Sequence, residues 1–201
     1  GRRRWTTPSA RPRRRWRKEG DLHGAISAYR QAERRAPPSD KPEIANRLGW
    51  IAGHLDKLER YEEGNAYRRQ EAEIVDRLIR LDPLNLEYRD HRQFPELGTG
   101  IALVRLKRHA EAERVLTSSD AELLALEQAM PGNTTITVRR MRTAWWLARN
   151  ALEGRLANAA QRLATARAQF ERIKRLTNSK EVAHWTKYMQ QLDEMEKSYG
   201  R

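Results

Sequence analysis

The sequence predicts an all-α protein built as a stack of helical hairpins, and three observations support this prediction. Ala, Leu, Glu, Arg and Gln are abundant among the 201 residues, and this mix favours helix almost everywhere. Apolar residues recur at spacings of three and four, as on one face of a helix. Helix-breaking residues recur at intervals of about 46–48 residues, at Pro37, Pro83, Pro131 and Thr177-Asn178. Such a constant interval is typical of a repeat architecture.

Composition narrows the classes of protein that the chain can represent. With 38% apolar residues, it can bury the core of one domain or of one continuous array. No run approaches the roughly eighteen apolar residues of a membrane span, and the absence of Cys excludes disulfides and thiolate metal ligands. The five His form no metal-ligand pair, and no P-loop, GxGxxG or GxSxG motif is present. We therefore predict a cytoplasmic protein that is not an enzyme and has no cofactor or metal.

The net charge of +13 is concentrated in an N-terminal arm. Residues 1–18 contain eight Arg, one Lys and no acidic residue, so residues 19–201 carry only +4. Residues 1–12 contain two prolines and no periodic apolar residue, and we predict a flexible basic arm there. Trp5 and Trp16 alternate with Arg, as at a nucleic-acid or anionic-membrane contact. We favour a linker or the cytoplasmic flank of a preceding membrane helix.

The first repeat unit is predicted over residues 13–37. A short helix over Arg13–Lys18 is followed by Gly20-Asp21, which separates it from a second helix. That second helix carries apolar or small residues at Leu22, Ala25, Ile26, Tyr29, Ala32 and Ala36. Pro37 then ends it, because the residue before a proline is disfavoured in helical geometry.

The stretch from Gly20 to Pro37 resembles the second half of a tetratricopeptide repeat (TPR) unit. The positions that match the family's turn glycine, small residues, aromatic residue and terminal proline are Gly20, Ala25, Tyr29, Ala32 and Pro37. The resemblance implies a right-handed α-solenoid of about four TPR-like helical hairpins over residues 13–178, with a capping helix over residues 179–201. The interval exceeds the roughly 34 residues of the usual TPR unit, so we expect a variant with long helices.

The second unit is predicted over Lys41–Pro83. The face of its first helix that we expect to be buried consists of Ile44, Leu48, Ile51, Leu55 and Leu58. Its second helix is expected over about Tyr61–Leu81. The polar start of that helix contains Gly64, and we expect it to bend or to pack loosely.

Two further units and a final helix complete the predicted array. The third unit pairs Phe94–Lys107 with Ala110–Met130, and a break is expected at residues 117–120, because Asp120 can cap a new helix. The fourth unit pairs Thr137–Leu152 with Leu156–Leu176. The last helix, Lys180–Tyr199, has one apolar stripe and one polar face, as expected at the end of a solenoid.

A binding surface is predicted on the first helix of each unit, which lines the concave side of a right-handed stack of hairpins. Its candidate residues are Arg14, Arg17, Lys18, Asn46, Trp50, His54, Arg105, Arg142 and Arg149. Arg pairs with carboxylates, Asn can hold a peptide backbone, and Trp offers apolar area. The alternative is that Trp50 packs between units and that the Arg side chains are solvated.

Trp145 and Trp146 are neighbours in sequence and cannot both face one side of a helix. We expect one ring in the core and the other in contact with another unit or with a partner.

Three functions are consistent with these features. The leading prediction is a non-catalytic scaffold that binds an acidic or mixed peptide or protein segment in a basic groove. The second is a nucleic-acid-binding protein that uses residues 1–18 and the groove. The third is an accessory or regulatory TPR domain of a larger signalling or transcription protein. If that protein is membrane-anchored, the chain is a soluble domain beside a membrane helix. Assembly into a homo-oligomer also stays open.

Overall fold

The structure, a computed structural model, describes Gly24 and residues 41–199. Residues 41–199 form seven α-helices and no strand: α1 (Lys41–Lys57), α2 (Tyr61–Leu81), α3 (Leu86–Arg105), α4 (His109–Ala129), α5 (Thr134–Glu153), α6 (Ala159–Leu176) and α7 (Ser179–Tyr199). The all-α prediction is therefore confirmed for this part of the chain. The predicted arm and, apart from Gly24, the predicted first unit lie outside the described residues.

The turns after α1, α3 and α5 share one backbone geometry. Glu59, Lys107 and Arg155 have positive φ angles of 59°, 60° and 50°, and each lies 48 residues after the previous one. The amide of the residue after each of them donates to a carbonyl five residues back, as in the 2.9 Å bond from Arg60 to Leu55. This arrangement is the Schellman motif, which ends a helix by satisfying its last carbonyls. The turns therefore repeat with a period of 48 residues.

The starts of α3 and α5 follow the same period. Asn85 precedes α3 and Asn133 precedes α5, and the side-chain oxygen of each accepts hydrogen bonds from two backbone amides of the first turn. These caps satisfy donors that the helix cannot satisfy itself. Both helices contain 20 residues, so residues 48 apart in sequence lie at the same level of the two helices. Pro83 and Pro131 lie in the turns before these caps, as predicted.

The helices pack in a regular pattern. From α1 to α7, each helix contacts the next one along the chain. In addition, α1 contacts α3, α3 contacts α5, and α5 contacts α7, whereas α2, α4 and α6 make no such contacts with one another within residues 41–199. The odd-numbered helices therefore form one continuous layer, which we call the odd-helix layer. Short turns, such as residues 58–60 and 106–108, connect it to the even-numbered helices.

Helix α3 begins eight residues earlier than predicted, at Leu86 instead of Phe94. The Asn85 cap starts the helix, and Pro95 lies inside it. A proline in a helix interior costs about 3 kcal/mol, so the cap and the packing of α3 against α2 and α4 offset this cost. The prediction rested on the apolar spacing of Leu97, Ile101 and Val104, which all lie after Pro95 and do not indicate the earlier start.

Helix α4 continues through residues 117–120, so the predicted break there is wrong. The polar residues of this stretch contact neighbouring helices instead of capping a new one. The Ser119 hydroxyl donates to Gln93 Oε1 of α3 at 3.0 Å, and Asp120 accepts a hydrogen bond from Arg140 Nε of α5 at 3.2 Å.

The start of α2 is closely packed, which contradicts the predicted loose packing. Gly64, Asn65 and Arg68 are all buried there. The Arg68 guanidinium donates to Asn65 Oδ1 at 2.9 Å and pairs with the Asp56 carboxylate of α1. Gly64 allows a close approach, because a Cβ at this position would lie 3.2 Å from the Ala52 carbonyl oxygen. The polar residues therefore join α1 to α2.

The remaining helices differ from the predictions at their ends. Helix α5 begins at Thr134 and α6 at Ala159, three residues before and three residues after the predicted starts. Leu58, which was expected to be buried, falls in the turn after α1 and is exposed. The apolar stripe expected on the last helix includes Tyr199, which is also exposed. In α7 the buried stripe consists of Trp185, Met189 and Leu192.

Two glycines give a matched prediction about packing. At Gly100 a Cβ would lie 2.6 Å from Leu116 Cγ, and Leu116 is fully buried, whereas at Gly53 no described atom lies within 4 Å of such a Cβ. We expect Gly100→Ala to lower the free energy of unfolding by about 1–3 kcal/mol. Gly53→Ala should raise it by about 0.5–1 kcal/mol, because Ala favours helix. Urea denaturation measures both, and a gain in stability for Gly100→Ala would contradict the close packing of α3 on α4.

Candidate binding surface on the odd-helix layer

The structure describes six of the nine predicted site residues. Asn46, Trp50 and His54 lie on α1, Arg105 lies on α3, and Arg142 and Arg149 lie on α5. Asn46, Trp50, Arg105 and Arg142 are exposed, and the other two are partly buried. All six belong to the odd-helix layer, as predicted for a surface built from the first helix of each pair. Arg14, Arg17 and Lys18 lie outside the described residues.

Three exposed residues of this layer form a row across α1, α3 and α5. Asn46, Phe94 and Arg142 are 48 residues apart, and each lies eleven residues before the end of its helix. All three side chains are exposed. We call Asn46, Phe94 and Arg142 the middle row. Sequence reasoning missed Phe94, although the 48-residue interval between Pro83 and Pro131 relates it to both of the predicted residues.

Side-chain contacts join the exposed faces of α3 and α5. The Arg139 guanidinium lies over the Phe94 ring, 4.2 Å from its centroid, and Arg139 also pairs with the Asp90 carboxylate. The guanidinium therefore stacks on one face of a ring that is still 51% exposed. A cation over an aromatic face is attracted by the ring quadrupole. These contacts hold Phe94 beside α5 and leave ring area for a further contact.

A second stack lies further along the same two helices. The Arg105 guanidinium of α3 lies 5.4 Å from the Trp146 ring centroid, and that of Arg149 lies 5.2 Å from it. Arg149 Nε also donates to Glu153 Oε1 at 2.7 Å, and Lys107 Nζ donates to the other oxygen of Glu153 at 2.9 Å. Burial alone would raise the pKa of Glu153, but the hydrogen bonds from Lys107 and Arg149 hold it below its ordinary value. Arg149 is thus part of a contact that stabilises α5.

Both members of the Trp pair are buried, with 2% of Trp145 and 8% of Trp146 exposed. Their ring centroids lie 4.9 Å apart in an edge-to-face arrangement. Trp145 contacts α7, where its Nε1 donates to the Tyr188 carbonyl oxygen at 2.8 Å. Trp146 lies beneath the two Arg side chains. Trp145 therefore contacts the last helix, Trp146 contacts Arg105 of the third unit, and both rings are covered by the protein itself.

The cations of this surface differ in their pairing. Among residues 41–199, Arg105 and Arg142 form no ion pair, whereas Arg139 and Arg149 each pair with a carboxylate. The Arg142 side chain is exposed, yet desolvation by its neighbours lowers the pKa of its guanidinium, while Tyr188 raises that pKa and Arg139 lowers it further. A bound carboxylate would compensate the charge of Arg142.

The layer combines groups that suit a peptide ligand. Trp50 and Phe94 are 61% and 51% exposed, which is unusual for large aromatic side chains. Arg105 and Arg142 supply charged donors, and the Asn46 amide supplies a donor and an acceptor.

No group of three or more possible metal ligands occurs in the described part of the chain. None of helices α1–α7 is both long enough and apolar enough to cross a membrane.

In comparisons with known proteins, no family model and no curated protein matches the chain. The described part of the chain is therefore classified by its own geometry. Residues 41–199 are all-helical, with a 48-residue repeat over residues 41–176 and an exposed aromatic and cationic surface.

Proposed function

We propose that the protein is a non-catalytic protein-interaction scaffold that binds an acidic or mixed peptide segment along the odd-helix layer. We further propose that the chain is a right-handed α-solenoid of TPR-like hairpins, with the odd-helix layer on its concave side. The main support is the middle row, where an amide, an exposed aromatic ring and an unpaired guanidinium lie at one level of three adjacent helices. The resemblance of residues 20–37 to a TPR unit supports the same function.

Burial and charge favour such a ligand. Covering apolar surface contributes about 25 cal/mol per Å², so an apolar side chain that covers Trp50 or Phe94 gains binding free energy. Hydrogen bonds to a charged group contribute about 1.5–3 kcal/mol, so a carboxylate paired with Arg142 adds a comparable amount. The surface therefore favours a ligand that carries both kinds of group.

Two dye-labelled pools of short degenerate peptides test this function by fluorescence anisotropy. One pool mixes Asp, Glu, Leu and Phe, and the other mixes Lys, Arg, Leu and Phe. We expect the acidic pool to bind more tightly, and Trp50→Ala and Arg142→Glu each to weaken it by about tenfold. Arg142 is replaced and not Arg149, because Arg149 also pairs with Glu153 and stacks on Trp146, so its loss would affect the fold as well as binding.

Control measurements separate this function from the alternatives. Arg69→Glu changes the same charge at an exposed site on α2 and should leave binding unchanged. Circular dichroism checks that each variant keeps its helical content. Equal binding of the two pools, or unchanged binding by Arg142→Glu, would contradict the proposal. Tight binding of duplex or single-stranded DNA that weakens steeply with salt and requires residues 1–18 would favour the nucleic-acid alternative instead.

A further inference from the structure

We infer that the middle row binds an extended, polyproline II-like segment of a peptide ligand. In this segment an apolar residue and an acidic residue lie three positions apart. The apolar side chain packs on Phe94, the carboxylate pairs with Arg142, and the Asn46 amide contacts the backbone of the ligand. This inference rests on the proposed function and adds the conformation and the spacing of the ligand.

The repeat sets the level of the three residues. Helices α3 and α5 are equal in length and are capped by Asn residues 48 positions apart, so Phe94 and Arg142 lie at the same height in adjacent helices. The contact of Arg139 with Phe94 places this level of α5 directly beside α3. Helix α1 ends 48 residues before α3 does, which gives Asn46 the same height. A ligand that contacts all three residues must cross the helices.

The distance between adjacent helices determines the spacing in the ligand. Packed helices lie about 8–10 Å apart, so Phe94 and Arg142 are separated by roughly this distance across the layer. A polyproline II helix rises about 3.1 Å per residue and has three residues per turn. Residues i and i+3 therefore point the same way and lie about 9 Å apart, which matches the separation of the helices.

Other backbone conformations fit the row less well. In a β-strand, residues on one face are two apart, which gives about 6.6 Å, or four apart, which gives about 13 Å. In an α-helix, residues on one face are three or four apart, at about 4.5–6 Å along the axis, or seven apart, at about 10.5 Å. A polyproline II segment also leaves its backbone groups free, so the Asn46 amide can bond to them.

Synthetic dye-labelled peptides on a Pro- and Ser-rich backbone test the spacing. Each peptide carries one Phe and one Glu at a separation of two, three or four residues, in either order along the chain. An Ala-rich helical peptide with the two residues seven apart represents the helical ligand. Fluorescence anisotropy with the full chain should give about tenfold tighter binding for the separation of three, in one of the two orders.

A charge exchange tests the assignment to Arg142. Arg142→Glu should weaken the three-residue peptide by about tenfold, and replacing the Glu of that peptide by Lys should restore its binding to this variant. Phe94→Ala should weaken the peptide with Glu and the one with Lys alike, because Phe94 contacts only the apolar residue. Arg69→Glu, at an exposed site on α2, should bind as the unchanged protein does.

The possible failures are distinguishable. Equal affinity at all separations, or a preference for the helical peptide, would overturn the polyproline II inference, while binding of the acidic pool would still support the proposed function. A lack of rescue by the Lys peptide would overturn the pairing with Arg142. If neither the defined peptides nor the acidic pool bind, both the inference and the proposed function are wrong.

Discussion

Replacing Trp145 by Ala is expected to lower the free energy of unfolding by about 3–5 kcal/mol, the usual range for a buried Trp. The Trp145 ring is 2% exposed and lies 5.2 Å from the Tyr188 ring in an edge-to-face contact. Its Nε1 donates to the Tyr188 carbonyl oxygen, so the variant also leaves a carbonyl of α7 without this donor. The truncated side chain leaves a cavity between α5 and α7 that the adjacent helices can fill only in part.

Urea denaturation followed by circular dichroism measures this loss. Trp145→Phe keeps an aromatic ring but removes the indole donor, so it should lose less stability than Trp145→Ala. The control is Trp50→Ala, which removes an exposed ring and should change stability by no more than about 0.5 kcal/mol. If Trp145→Ala and Trp50→Ala have the same stability, Trp145 does not join α7 to the remaining helices.

Glu127→Gln is expected to lower the free energy of unfolding by about 2–3 kcal/mol at pH 7. The Glu127 side chain is 8% exposed and connects α4 to two other helices. It accepts hydrogen bonds from Thr137 Oγ1 at 2.7 Å, Arg140 Nη1 at 3.0 Å and Arg172 Nη1 at 2.5 Å. Gln can still accept from Thr137, but it cannot compensate the charges of the two Arg side chains.

The pH dependence of this effect follows from the pKa of Glu127. Burial alone would raise that pKa, but the hydrogen bonds from Thr137, Arg172 and Arg140 outweigh burial and hold it below the ordinary value. A lowered pKa in the folded state adds stability above the unfolded pKa, and this stability is lost as the pH falls through the folded pKa. The difference between the unchanged protein and Glu127→Gln should therefore be full near neutral pH and shrink below about pH 4.

Denaturation series at neutral and acidic pH test this dependence. Glu73→Gln is the matched control, because Glu73 is exposed on α2, and it should change stability little at any pH. A stability difference for Glu127→Gln that stays constant or grows toward acidic pH would contradict the assigned network.

The sequence predicted most helices correctly because their signals are local. Apolar spacing, the turns around Pro83 and Pro131, and the Thr177-Asn178 break placed the helix ends within a few residues, except at the start of α3. Other errors concern polar residues that can either cap a helix or bond to a neighbouring helix. Ser119 and Asp120 favour a helix cap when read locally, but their partners are Gln93 and Arg140 on other helices. No pattern within the segment itself indicates such partners.

The candidate surface was partly predictable, because the helices and the repeat period that position its residues follow from local signals. Asn46 and Arg142 follow from the expected role of the first helix in each unit, and the 48-residue period relates both to Phe94. Whether the other Arg residues of the surface form ion pairs depends on tertiary contacts that the sequence does not show. Arg149 is held by Glu153 and stacks on Trp146, whereas Arg105 stacks on Trp146 and has no ion-pair partner among the described residues.

The sequence by itself determined the helical state, the positions of the turns and the period of the repeat. Tertiary structure alone decided which polar groups are paired and which rings stay exposed. The physical reason is the range of the interactions. Helix hydrogen bonds and caps join residues within about five positions, whereas the contact that places α5 beside α3, between Asp90 and Arg139, joins residues 49 positions apart.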